Sequence, residues 1–184
     1  MTYRPLTVTL LTTSVVVLAA CGVQVERKPD GTASKVNVAS PFGSVSVRTD
    51  VDGAATGLPI YPGAHPLKKH SVDSASADVL VGNANAGVRV IAAQLESDDP
   101  SAPIVDFYHR EMQKYGAVSE CHGKMDMNGG PGDGVTTCRE RSGQVDLAVG
   151  AKNDHRIVSV RSRGAGSEID MVHIQTGASG KREH

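Results

Sequence analysis

The stretch Cys121-His122-Gly123-Lys124-Met125-Asp126-Met127 places a thiol, an imidazole and two thioethers close together in the chain. Soft sulfur ligands combined with imidazole select Cu(I). His122, Met125 and Met127 are therefore a candidate copper set, with Cys121 a further donor only while its thiol is free. The competing use of the same residues is structural. Methionine fills irregular gaps beneath loops, and Cys121 has Cys138 to pair with. Two such cysteines in an exported chain favour a disulfide, worth about 3 kcal/mol in the chain-entropy model for a loop of this size. One sulfur cannot serve both purposes, so the expectation is a Cys121–Cys138 bridge and no cofactor, with copper the alternative. Asp126, Asn128 and Asp133 offer oxygens for calcium, but Gly130-Pro131 interrupts the spacing that an EF-hand loop needs.

Catalytic signatures are absent from the sequence: it holds no G-x-S-x-G, no H-E-x-x-H and no P-loop. Seven histidines are scattered, at 65, 70, 109, 122, 155, 173 and 184, a dispersion expected of surface residues. His109 lies beside Tyr108 with Asp106 near in sequence, yet spacing pairs no nucleophile with them. No catalytic set is assigned, and the reading leans away from an enzyme. With 19 Lys and Arg against 20 Asp and Glu, no Trp and few aromatics, the chain has neither the charge footprint nor the stacking platforms of a nucleic-acid binder.

The compartment is read from the N-terminus. After Arg4 and Pro5, a run whose apolar part is about 13 residues long leads to Cys21, too short for a membrane-spanning helix of about 20. A charged start, a short apolar stretch and small residues before a cut read as a secretory signal peptide. Leu18-Ala19-Ala20-Cys21 resembles the lipobox of bacterial lipoproteins. That resemblance implies cleavage before Cys21 and attachment of acyl chains such as palmitate there. Two or more chains then give lasting attachment, at about 0.8 kcal/mol per buried methylene. Gly22, in place of the Asp that tends to retain lipoproteins in the inner membrane, points to the periplasmic side of the outer membrane if the cell has two membranes.

The elements that must carry these residues follow from periodicity. Val23-Gln24-Val25, Val36-Asn37-Val38 and Val45-Ser46-Val47 alternate as strands, separated by Pro29-Asp30-Gly31 and Ser40-Pro41-Phe42-Gly43, and make a small β-meander. Thr49 to Gly57 reads as a linker. In Leu58-Pro59-Ile60-Tyr61-Pro62-Gly63-Ala64, a type II turn at Pro62-Gly63 directs Ile60 and Tyr61 to a core. Strands are expected at 77–81 and 87–96.

A helix should follow, capped by Ser101 with Pro103 in its first turn. Ile104, Phe107, Tyr108 and Met112 form its apolar stripe, and Gly116 ends it. Further strands fall at 117–121, 135–141, 144–151, 156–163 and 169–175. "PIYPGA" followed by "FYHREMQKYG" resembles a pattern in uncharacterised bacterial secreted proteins and lipoproteins, a resemblance that brings no activity with it. The expected fold is α+β, an antiparallel sheet with one main helix packed on one face, preceded by the meander. The expected organisation is a signal peptide (1–20), an anchor with meander and linker (21–57), an α+β domain (58–176) and a tail (177–184). The function expected is that of a lipid-anchored cell-envelope protein, a non-catalytic binding or structural module whose one foreseen partner is the membrane, through its anchor.

Overall fold

The computed structural model describes residues 22–29, 33–40, 43–49, 51–67, 76–83, 86–127, 136–151 and 153–177. Its strands are β1 (Gly22–Arg27), β2 (Ala33–Ser40), β3 (Gly43–Thr49), β4 (His65–Pro66), β5 (Ser76–Gly82) and β6 (Gly87–Ser97). After the helix α1 (Ser101–Met112) come β7 (Ser119–Cys121), β8 (Gly123–Met127), β9 (Thr136–Glu140), β10 (Gln144–Ala151), β11 (Asp154–Arg163) and β12 (Gly166–Thr176). One antiparallel sheet runs β1-β2-β3-β5-β6-β12-β11-β10-β7, with β4 against β6, while β8 and β9 form a separate two-stranded sheet. The fold is α+β. The N-terminal meander does not stand apart, because β3 pairs with β5 from Ser44↔Gly82 to Thr49↔Ala77 and so extends the main sheet.

Helix α1 covers the C-terminal half of this sheet. Ile104, Tyr108 and Met112 recur at the helical period and are fully buried against Leu147, Val149, Val158, Val160, Ile169 and Met171. Val105 joins the buried stripe, and Phe107 is only half-buried at its flank, stacked edge-on between Tyr61 and Tyr108. The Tyr108 hydroxyl accepts a hydrogen bond from the Tyr61 amide at 3.2 Å and donates towards Met171 Sδ at 3.5 Å. Burial pushes its pKa up to about 12, against the smaller opposing effect of the Tyr61 amide.

Three local expectations are corrected. The N-cap position belongs to Pro100, not Ser101, and no side chain caps it. Pro100 is held extended at ψ 160°, so Ser101 enters the helix as its first residue, where its hydroxyl meets that of Ser162. Ile60 does not enter the core: it is 37% exposed, and Leu58 is buried instead. The turn at Pro62-Gly63 forms with Gly63 at φ +84°, closed by Ala64 N–H donating to the Tyr61 carbonyl, and it packs Tyr61 and Ala64, not Ile60, on the core. The supposed linker contains a 3-10 turn, Gly53–Thr56, in which Thr56 is buried and Asp52 accepts from the Ala54 amide.

Because side chains alternate across a strand, the pairings fix which residues share a face. On the face away from the helix, Val25, Val36, Val47, Val79 and Val90 stand opposite one another in succession and end at Ile174. Val23, Val38, Val45, Val81 and Val88 make a second such row beside it. The other face of the same strands carries Glu26, Lys35, Arg48 and Asp78 in register. The apolar side of the sheet therefore switches between its two halves, and β6 carries both patterns: Ile91, Ala93 and Leu95 are buried on the helix side, whereas exposed Val88 and half-buried Val90 lie on the reverse.

Candidate functional site

The Cys-His-Met segment folds as a hairpin stapled to the sheet. Cys121 on β7 is bonded to Cys138 on β9 with Cα atoms 5.5 Å apart, so the bridge joins the two sheets rather than two paired strands. The segment expected to be a loop after Cys121 is β8, paired with β9 from Gly123↔Glu140 to Met127↔Thr136. Gly123 permits the bend: its φ is +151°, and a Cβ there would lie 2.1 Å from the Arg139 carbonyl oxygen.

Beneath the hairpin sits buried Asp146 of β10. One carboxylate oxygen accepts from the Met125 amide at 2.8 Å; the other accepts from Gln144 Nε2 at 2.9 Å and the Ser159 hydroxyl at 2.6 Å. A buried carboxylate with this many donors is a satisfied polar bolt between the two sheets.

Between the hairpin and the β9–β10 turn lies an open depression of about 490 Å³ lined by Ser101, His122, Glu140, Arg141, Ser142, Gly143, Gln144 and Val145. Its chemistry is that of imidazole, carboxylate, guanidinium and hydroxyl groups. Of the proposed copper set only His122 lines it, and that exposed ring contacts Glu120 Oε1 at 2.9 Å. Met125 stands across from Cys138 in β8, Met127 is the last residue of that strand, and the Cys121 sulfur is consumed by the bridge. Asp126 pairs with Arg139 at 3.0 Å. Asn128 and Asp133 lie outside the described residues, as does Cys21. Among the described residues no group of three or more His, Cys, Asp or Glu side chains is arranged to hold a metal ion.

A second constellation escaped the sequence reading. His173 and His155 are buried, not surface residues. His173 Nε2 meets Asp154 Oδ1 at 3.0 Å, the same oxygen accepts from Arg156 Nη1 at 2.6 Å, and Gln175 donates to Oδ2 at 3.2 Å. The Arg156 guanidinium lies 3.9 Å from the centre of the Tyr115 ring, and the Tyr115 hydroxyl donates to the Gly57 carbonyl. This latch ties the segment after the 3-10 turn to the sheet.

Burial lowers the His173 pKa, and the charges of Arg156 and Arg89 add to that, against the pull of Asp154. For Asp154 burial opposes the charge, but hydrogen bonds from Gln175 and His173 and the Arg156 charge outweigh it and lower its pKa. Neutral His173 thus donates from Nε2, while Nδ1 and Arg156 Nε are both buried and unpartnered among the described residues. Through these bonds the His173–Asp154 pair ties β11 to β12, and among the described residues no nucleophile is hydrogen-bonded to His173.

The signal for this cluster was present in β12. Ile169, Met171 and His173 share one period-two phase, which carries the histidine onto the core side. His109 is hydrogen-bonded to Gln113, and His65 pairs with Glu96 at 3.3 Å; neither is joined to a nucleophile among the described residues. Comparison with known proteins finds no family model, curated protein or solved structure that matches the chain.

Proposed function

We propose that this chain is a lipid-anchored cell-envelope protein, acylated at Cys21, whose folded part is a non-catalytic binding or structural module. The observation that carries the module reading is the valine face: two rows of side chains on five strands, several of them well exposed, with no cover among the described residues. Soluble monomers rarely present a contiguous apolar patch of this kind, and such patches mark interaction sites. The anchor reading rests on Leu18-Ala19-Ala20-Cys21. In a two-membrane cell the protein faces the periplasm from the outer membrane.

Labelling cells with a fatty-acid probe tests the anchor. The wild-type chain takes up label and sediments with membranes, and Cys21→Ser loses both properties. An unlabelled wild-type chain in the soluble fraction contradicts the reading. Titrating the oxidised protein with Cu(I) tests the module against a metal carrier: no tight binding is expected. Tight binding that disappears in His122→Ala would transfer the assignment to copper carriage by His122, Met125 and Met127.

A further inference from the structure

We infer that the valine face is the contact surface between two copies of this chain, stacked face to face about a two-fold axis that runs along the strands. The inference rests on reading that face as a binding surface and adds the identity of the partner. Within the two rows every position on β1, β2, β3, β5 and β6 is valine. Val23, Val25, Val38, Val45, Val81 and Val88 are 62, 43, 36, 38, 48 and 42% exposed. Short β-branched side chains on a pleated plate suit a second sheet about 10 Å away, where inner faces interdigitate. A bilayer surface calls for Trp, Tyr, Lys or Arg, and the rows contain none of these.

The size and the charges of the plate also favour a second copy. Six strands, counting β12 with Ile174, at about 4.8 Å spacing and roughly 17 Å of strand length, give roughly 500 Å² in projection. The accessible surface of a pleated plate exceeds its projection, so two copies approach the roughly 800 Å² per partner of a standard interface. At the outer edge β1 ends in Arg27, followed by Lys28. Following the register inward, Glu26 lies level with Lys35, Arg48, Asp78, Ile91 and His173, so Arg27 and Lys28 stand towards the end of the sheet that carries Asp170 and Glu168 of β12. A two-fold axis along the strands keeps that end in common and lays β1 of one copy over β12 of the other. At that end Arg161 pairs with Glu168 at 2.9 Å and with Asp170 at 2.6 Å, so two carboxylates share one guanidinium, and the basic edge of one copy meets the remaining negative charge of the other on both sides of the dimer, as an isologous interface requires.

The test uses the full chain in the envelope. Val45→Cys and Ser46→Cys place a thiol on neighbouring residues that face opposite ways, with the wild-type chain as the background control, and a short bifunctional thiol reagent is added. A covalent dimer from V45C and none from S46C is expected. Equal dimer from both, no dimer from V45C, or labelling of V45C by a bilayer-phase photoprobe overturns the inference. Copies carrying different tags should also co-purify, and Val45→Lys with Val81→Lys should cut that recovery at least tenfold while the Cys121–Cys138 bridge stays intact. Unchanged recovery overturns it. Fatty-acid labelling of Cys21 is read separately, so loss of the dimer and loss of the anchor are distinguishable.

Discussion

In the C-terminal half of the sheet, Leu147, Val149, Val158, Val160, Ile169 and Met171 face the helix and are at most 1% exposed, whereas of the valines on the reverse face of the N-terminal half six are exposed and Val36, Val47, Val79 and Val90 are half-buried. The local pattern is the same in both halves, since each strand alternates apolar with polar residues. What differs is the cover. Helix α1 supplies Ile104, Tyr108 and Met112 to one half, and no described element lies on the valine rows of the other. Alternation thus creates a face without deciding what buries it. For the N-terminal half, the proposed second copy supplies that cover.

The largest effect should come from breaking the covered half. Tyr108→Ala removes a fully buried ring and leaves the Tyr61 amide without its acceptor, so it should cost about 3 to 5 kcal/mol in urea unfolding. A loss below about 1 kcal/mol would mean that the helix does not hold the core. Removing the staple comes next: Cys121→Ser with Cys138→Ser should cost about 3 kcal/mol. Unfolding the wild type with and without reductant should reproduce that difference.

The third prediction concerns pH at the seam between the halves. His173 titrates lower in the fold than its ordinary 6.5, so the unfolded chain takes up its proton first as pH falls. Its contribution is complete above about 6.5 and is lost as pH drops through the lowered folded value. Stability should fall across that window in the wild type and fall less in His173→Gln; equal slopes would assign the loss to other groups. The smallest effect belongs to the open half. In dilute protein Val45→Ala should cost less than about 1 kcal/mol, against 2 to 5 for Ile169→Ala. Similar losses at the two positions would erase the distinction between the halves.

Much of this contrast was legible in the sequence. The Val-x-Val units, the apolar stripe from Ile104 to Met112 and the parity of Cys121 and Cys138 each state a local rule, and the antiparallel sheet, its single helix and the bridge follow from them. What escaped depends on which strand lies beside which. The 87–96 run reads as one apolar strand, and nothing in its own order shows that β6 turns Ile91 and Leu95 to the helix but Val88 and Val90 to the reverse. The β8 strand was hidden because Gly123 looks like loop punctuation until Arg139 is brought against it. His173 and Asp154 sit 19 residues apart on neighbouring strands, so spacing alone could not join them, and the depression at His122 is assembled from three segments.

The central claim, that the open half is completed by a second copy, is tested most directly by thermal unfolding at a series of protein concentrations. A chain stabilised by self-association has a Tm that rises with its own concentration, because binding favours the folded state by mass action. Such a rise is expected for the wild type, and a Tm independent of concentration for Val45→Lys with Val81→Lys. A wild-type Tm that stays constant across the series would contradict it.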